Sequence, residues 1–226
     1  MGSDQRRLAA TVFGAVCLAG CQATELAPEG PFRAGFEPPA GLLTEWARLE
    51  PLGPKHAEAD LAALIGNREH LQVTLRWGGW PAEGFTLEEN RADLARHADE
   101  FERRVAFAYT VLEVPGAGEP RCLGCVYLEP PSPPLKSSAE SGSEGPASML
   151  AFSWVVEEGV EAGWDELLLR DLERWFEAEW PVREVFWPIR IENLRGAHLA
   201  QRAGYAEVAS EDPAYRIFRW RRGEPR

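Results

Sequence analysis

The sequence predicts an α+β domain, with a mixed, mostly antiparallel central sheet flanked by helices. Three observations support this. Two helical patterns come first and are followed by closely spaced strand and turn signals. From Ala151 to Trp220 the pattern then alternates between strand and helix. With 226 residues, 45% of them hydrophobic, and nine tryptophans, the chain has the apolar volume for one sizeable core.

The elements follow in order. His56 to Ile65 sets Leu61, Leu64 and Ile65 at helical spacing and stops at Gly66-Asn67, a pair suited to a helix C-terminus. A second helix opens at Thr86, whose hydroxyl can accept from the Glu89 amide while the Glu89 carboxylate reaches back. It runs to Arg104 with Leu87, Leu94 and Phe101 on a buried stripe. Phe107–Val114 and Leu123–Leu128 are aromatic and β-branched, and Pro115-Gly116-Ala117-Gly118 between them predicts a hairpin. Residues 130–147 are dense in Pro, Ser and Gly and are expected to form a disordered insertion. Ala151–Val156 reads as a strand. Asp165–Glu179 reads as a helix with Leu168, Leu172, Trp175 and Phe176 on one face. Val185–Ile189 is a strand and Leu194–Ala203 a short helix stopped by Gly204. Tyr205–Val208 and Tyr215–Trp220 close the sheet. Trp154, Trp175, Trp187 and Trp220 fall in these elements and are assigned to the core.

The N-terminal region is separate. Arg6 and Arg7 precede an apolar run from Leu8 to Gly20, too short to span a bilayer but shaped like a secretory signal. It closes with Leu18-Ala19-Gly20-Cys21, which resembles a bacterial lipobox. Residues 1–20 are therefore expected to be a signal peptide, Cys21 a lipidation site, and residues 21–40 a Pro-, Gly- and Glu-rich tether to one domain over 41–222. The expected location is a lipoprotein anchored outside the cytoplasm. A run that is not a signal would leave the chain cytoplasmic. The net charge of −12 argues against a nucleic-acid binder and would repel an anionic membrane, so membrane contact is expected through the N-terminal lipid only.

Three further constellations invite a chemical reading. Cys122 and Cys125 form a lone C-x-x-C. On a regular strand they point to opposite faces, which argues for plain strand cysteines, and no metal is expected. Trp77-Gly78-Gly79-Trp80-Pro81 reads as a loop whose tryptophans plug the core. His198 reads as a solvated or structural helical histidine.

The element order, two helices, an antiparallel hairpin, then strand–helix–strand–helix–strand, resembles the GNAT acyltransferase superfamily. Asn193, Gly196, Leu199, Gly204 and Tyr205 match the spacing that family members carry after the fifth strand. The blocks Phe85-Thr86-Leu87-Glu88-Glu89-Asn90, Tyr109-Thr110-Val111-Leu112 and Leu123-Gly124-Cys125-Val126-Tyr127 resemble a bacterial branch of it. The resemblance implies an N-acyltransferase acting on a small-molecule or peptide amine, with acetyl-CoA or another acyl-CoA as cofactor. It implies that Val155 and Val156 pair with the pantetheine arm and that Gly163 and Trp164 lie at the phosphate end. Asn193 would line the far wall, and Glu157 and Asn193 would serve catalysis.

The chain departs from the family in its phosphate loop. With Leu167-Leu168 aligned to the usual Leu pair, the Arg/Gln-x-x-Gly-x-Gly/Ala slots hold Gly159, Ala162 and Trp164. One place on they hold Val160, Gly163 and Asp165. The family's frequent general-acid tyrosine is Ala200 here. A second expectation follows, a lipid-anchored, catalytically inactive binding or interaction module on the same fold.

Overall fold

A computed structural model of the chain describes residues 36–75, 79–114, 120–131 and 148–224. The segment expected to be a lipobox with Cys21, the turn expected at Pro115–Gly118, Trp77, Gly78 and nearly all of the insertion expected at 130–147 lie outside the described residues.

The elements are β1 (Leu42–Leu43), β2 (Ala47–Pro51), α1 (Ala57–Gly66), α2 (Arg68–Thr74), α3 (Leu87–Glu102), β3 (Phe107–Glu113) and β4 (Cys122–Glu129). Then come β5 (Ser148–Val155), α4 (Glu157–Glu161), α5 (Trp164–Glu179), β6 (Glu184–Arg190), α6 (Leu194–Arg202), β7 (Ala206–Val208) and β8 (Tyr215–Arg221). They form one eight-stranded sheet in the order β1-β2-β3-β4-β5-β6-β8-β7. Every neighbouring pair is antiparallel except β5 and β6. The expected α+β class and each predicted strand and helix are present. The pattern did not reveal β1, β2, α2 and α4. These are short, and a run of two to seven residues carries too few turns or alternations to show a period.

Helices cover both faces. Leu168, Leu172, Trp175 and Phe176 of α5 and Ala197 and Ala200 of α6 share a core with Val126, Met149, Val185 and Phe218. Burying each large side chain contributes about 1.5–3 kcal/mol. Leu64 of α1, Leu71 of α2 and Leu94 of α3 share the opposite core with Ala108, Tyr127, Trp154 and Ile217. The capping box at α3 forms as expected, with Glu89 N–H donating to Thr86 Oγ1 at 3.2 Å and Thr86 N–H to Glu89 Oε2 at 2.8 Å. Trp154, Trp175, Trp187 and Trp220 are all buried. Trp80 is partly buried and rests on Phe85, 5.9 Å between centroids. Ahead of β1, Phe36 packs on Phe107 and Trp180, and the Tyr109 hydroxyl donates to the Pro39 carbonyl at 2.8 Å.

One expectation fails at β4. Val111 pairs with Gly124 but the next residue, Leu112, pairs with Cys122, so Leu123 is extra. This bulge breaks the two-residue alternation. Leu123 turns into the α5 core, while Cys122 and Cys125 both face the α1 side. There they meet Asp60 of α1, whose carboxyl is pushed up to about 6 by burial, against the hydrogen bonds it accepts from Asn90 and Cys125.

Candidate functional site

Among the described residues, strands β5 and β6 pair only through Ser148–Leu150 and Glu184–Phe186, then diverge. The splay opens a cleft of about 370 Å³ between them, walled by Ala151–Val155, Leu168, Leu169, Trp187–Ile189, Leu199 and Tyr205. α2 borders it through His70, Val73 and Thr74, and the loop into α6 borders it through Glu192 to Gly196. Most of this surface is apolar, the usual make-up of a small-ligand site.

The register against β4 decides what β5 offers. The Val156 N–H donates to the Leu123 carbonyl at 2.8 Å, so Val156 faces β4 and not the cleft. In an antiparallel ladder the hydrogen-bonding direction alternates, so Ser153 and Val155 present their backbone groups to the opened side. His70 Nε2 reaches the Val155 carbonyl there at 3.1 Å. A carbonyl only accepts, so this nitrogen carries a proton, and in the uncharged ring the lone pair then lies on Nδ1. Sequence patterns gave no notice of His70 or Ser153, because neither sits in a spacing that implies chemistry.

Of the residues picked from the sequence, Val155 and Asn193 line the cleft. Asn193 caps α6, its Oδ1 accepting from the Gly196 N–H at 2.9 Å. Glu157 is exposed at the start of α4, with its N–H donating to Asn67 Oδ1 at 2.8 Å, and it is not part of the cleft wall. Gly163 precedes α5 with φ of 80°, a conformation that favours glycine. Trp164 stacks on Trp46 at 5.9 Å and covers Gly159, where an added Cβ would fall 2.5 Å from the indole. His198 is exposed.

The phosphate end is where the residues and acyl-CoA disagree. A helix N-terminus attracts an anion through its free N–H groups and dipole. At α5 the chain supplies its own anion. Asp165 accepts from the Glu166 N–H at 3.0 Å and holds Arg195 of α6 through two bonds of 2.5 and 2.8 Å. Glu157, Glu158 and Glu161 on α4 add negative charge beside it, with Glu158 paired to Arg121 at 2.5 Å. The splayed edge fits an amide-bearing arm. The α5 N-terminus does not fit a diphosphate.

No family model matches the chain, and no curated protein sequence matches it. Solved structures do. RimL, a ribosomal L7/L12 α-N-protein acetyltransferase in complex with coenzyme A, superimposes with a TM-score of 0.62 at 14% identity, over 80% of this chain and 96% of that one. The ribosomal-protein-S5-alanine acetyltransferase of Vibrio fischeri gives 0.63 at 12% identity, over 82% and 98%. The microcin C7 self-immunity acetyltransferase MccE, in complex with acetyl-CoA and AMP, gives 0.61 at 11% identity, over 81% and 97%. The chain has the GNAT acetyltransferase fold.

Proposed function

We propose that the chain is an N-acyltransferase of the GNAT type that uses an acyl thioester and acts on an amine carried by a small molecule or a peptide. The observation that carries this reading is the splay of β5 from β6, which leaves the Ser153 and Val155 edge without a ladder partner inside an apolar cleft. A pantetheine arm, extended and rich in amides, can add to that edge as a further strand would. The neighbouring structures with coenzyme A and acetyl-CoA support the same choice of donor.

The thioester supplies an activated acyl carbon. The chain's residues hold and protect it. Ser153 and Val155 orient the donor amides, while Leu168, Trp187 and Leu199 keep water from the carbonyl. His70, and not the exposed Glu157, is the proposed base. Its Nδ1 takes the amine proton as the C–N bond forms and the C–S bond breaks, and the leaving thiolate regains a proton. Asn193 holds the start of α6 against the far wall.

A second reading has its own observation. The Asp165 carboxylate, which occupies the start of α5 and is held there by Arg195, and the acids of α4 oppose the charged half of acetyl-CoA or any acyl-CoA, which suits a binding module that kept the fold, tethered outside the cytoplasm through a lipid on Cys21. Calorimetry with acetyl-CoA and acetyl-pantetheine, followed by thiol release with a panel of amines, separates the two. Heat and thiol release support the enzyme, with His70→Ala losing turnover and keeping the heat. Heat without turnover supports the module. No heat with either thioester overturns the acyltransferase reading.

A further inference from the structure

We propose that Asp60, Cys122 and Cys125 form a buried site for a thiophilic metal ion, with Zn²⁺ as its natural fit. The carboxylate oxygen and the two sulfurs all lie within 4.8 Å of one another, and all three residues are buried. Asp60 Oδ1 stands 3.5 Å from Cys125 Sγ and 4.0 Å from Cys122 Sγ. Zinc bonds of about 2.3 Å to sulfur and about 2.0 Å to oxygen, at a tetrahedral angle, set sulfur and oxygen ligands about 3.5 Å apart. Both distances are within about half an ångström of that spacing, and the two sulfurs, within 4.8 Å of each other, need to approach by at most about 1 Å to reach the about 3.8 Å of a tetrahedral pair.

The arrangement is built by tertiary structure. The bulge at Leu123 turns the two cysteines to one face, and α1 brings Asp60 over them. Neighbours hold the ligands. Asn90 Nδ2 donates to Asp60 Oδ2 at 3.0 Å and to the Ala57 carbonyl at 2.9 Å, and Thr110 Oγ1 lies 3.7 Å from Cys122 Sγ. Outer partners of this kind orient metal ligands. Asn90 Oδ1, on the same amide, is buried with no hydrogen-bond partner among the described residues. Uptake replaces the two thiol protons with one Zn²⁺ and releases them to solvent, and Asp60 supplies the third ligand.

The test is metal uptake by the full chain. Protein stripped by a chelator under reducing conditions is titrated with Cd²⁺, read by its sulfur-to-metal charge-transfer band, and with Zn²⁺ against a chromophoric chelator. The expected result is a single ion per chain, with the band retained in a Cys17→Ser/Cys21→Ser variant and lost in Cys122→Ser or Cys125→Ser. Asn90→Ala should weaken binding about 10–100-fold. Should the cysteine variants fold poorly, the melting temperature of the wild type answers instead, since it should rise with Zn²⁺ and fall on chelation. No band and no shift in melting, equal binding by Cys122→Ser and Cys125→Ser, or a Cys122–Cys125 disulfide in protein isolated without reductant would each overturn the proposal.

Discussion

A Cβ built on Gly124 falls 2.0 Å from the Trp154 carbonyl oxygen and 3.0 Å from the Val155 Cα. These are backbone atoms of a central strand, so the neighbour cannot step aside. Gly124→Ala is expected to cost about 1–3 kcal/mol, read as a lower urea midpoint at unchanged m-value. Glu50 carries the clearest pH signature. It accepts from Lys55 at 2.6 Å and from His56 at 2.8 Å, and faces Arg48 at 3.1 Å. Burial favours its neutral form, but those bonds and charges prevail and hold the carboxyl at about 2, below its usual 4.5. A carboxyl whose pKa falls on folding stabilises above its unfolded value and loses that contribution on acidification. Stability should therefore decline as pH drops from 4.5 toward about 2, and Glu50→Gln should flatten the decline in urea melts across that window. Neither effect is visible in sequence, because both depend on what the fold puts beside the residue.

Among the elements, α3 and α5 were the most legible. Sixteen residues each give more than four turns, enough for Thr86 and Glu89 to announce a start and for Leu168, Leu172, Trp175 and Phe176 to trace a face. Thr86→Ala should cost about 0.5–2 kcal/mol in unfolding measurements, since it frees the Glu89 amide. The start of α5 was less legible. The sequence placed an awkward Asp165 in the phosphate slot, but only the fold shows that it pairs with Arg195, across 30 residues of chain. Asp165→Asn should weaken that pair and remove the competing anion. Calorimetry at low salt is then expected to show CoA gaining roughly 3- to 10-fold over pantetheine relative to wild type.

At the largest scale the described residues form a sheet held between two helical layers, and the N-terminal approach belongs to it from Phe36 onward. Phe36→Ala should lower stability by about 1–3 kcal/mol, less than a fully buried phenylalanine because the ring is only partly covered. Thermal melting checks this. The sequence alone determined the class, the order of the long elements, the α3 cap and the tryptophans of the core. These rest on periods of two and 3.6 residues, which are local properties of a chain. The tertiary structure alone decided where β5 leaves β6, that Val155 and not Val156 faces the opening, and that His70 meets a carbonyl 85 residues away. It also brought Cys125 to Asp60 across 65 residues, through a one-residue bulge that no local pattern marks. Contacts at such separations depend on how every layer packs at once, and a period read along one strand cannot contain them.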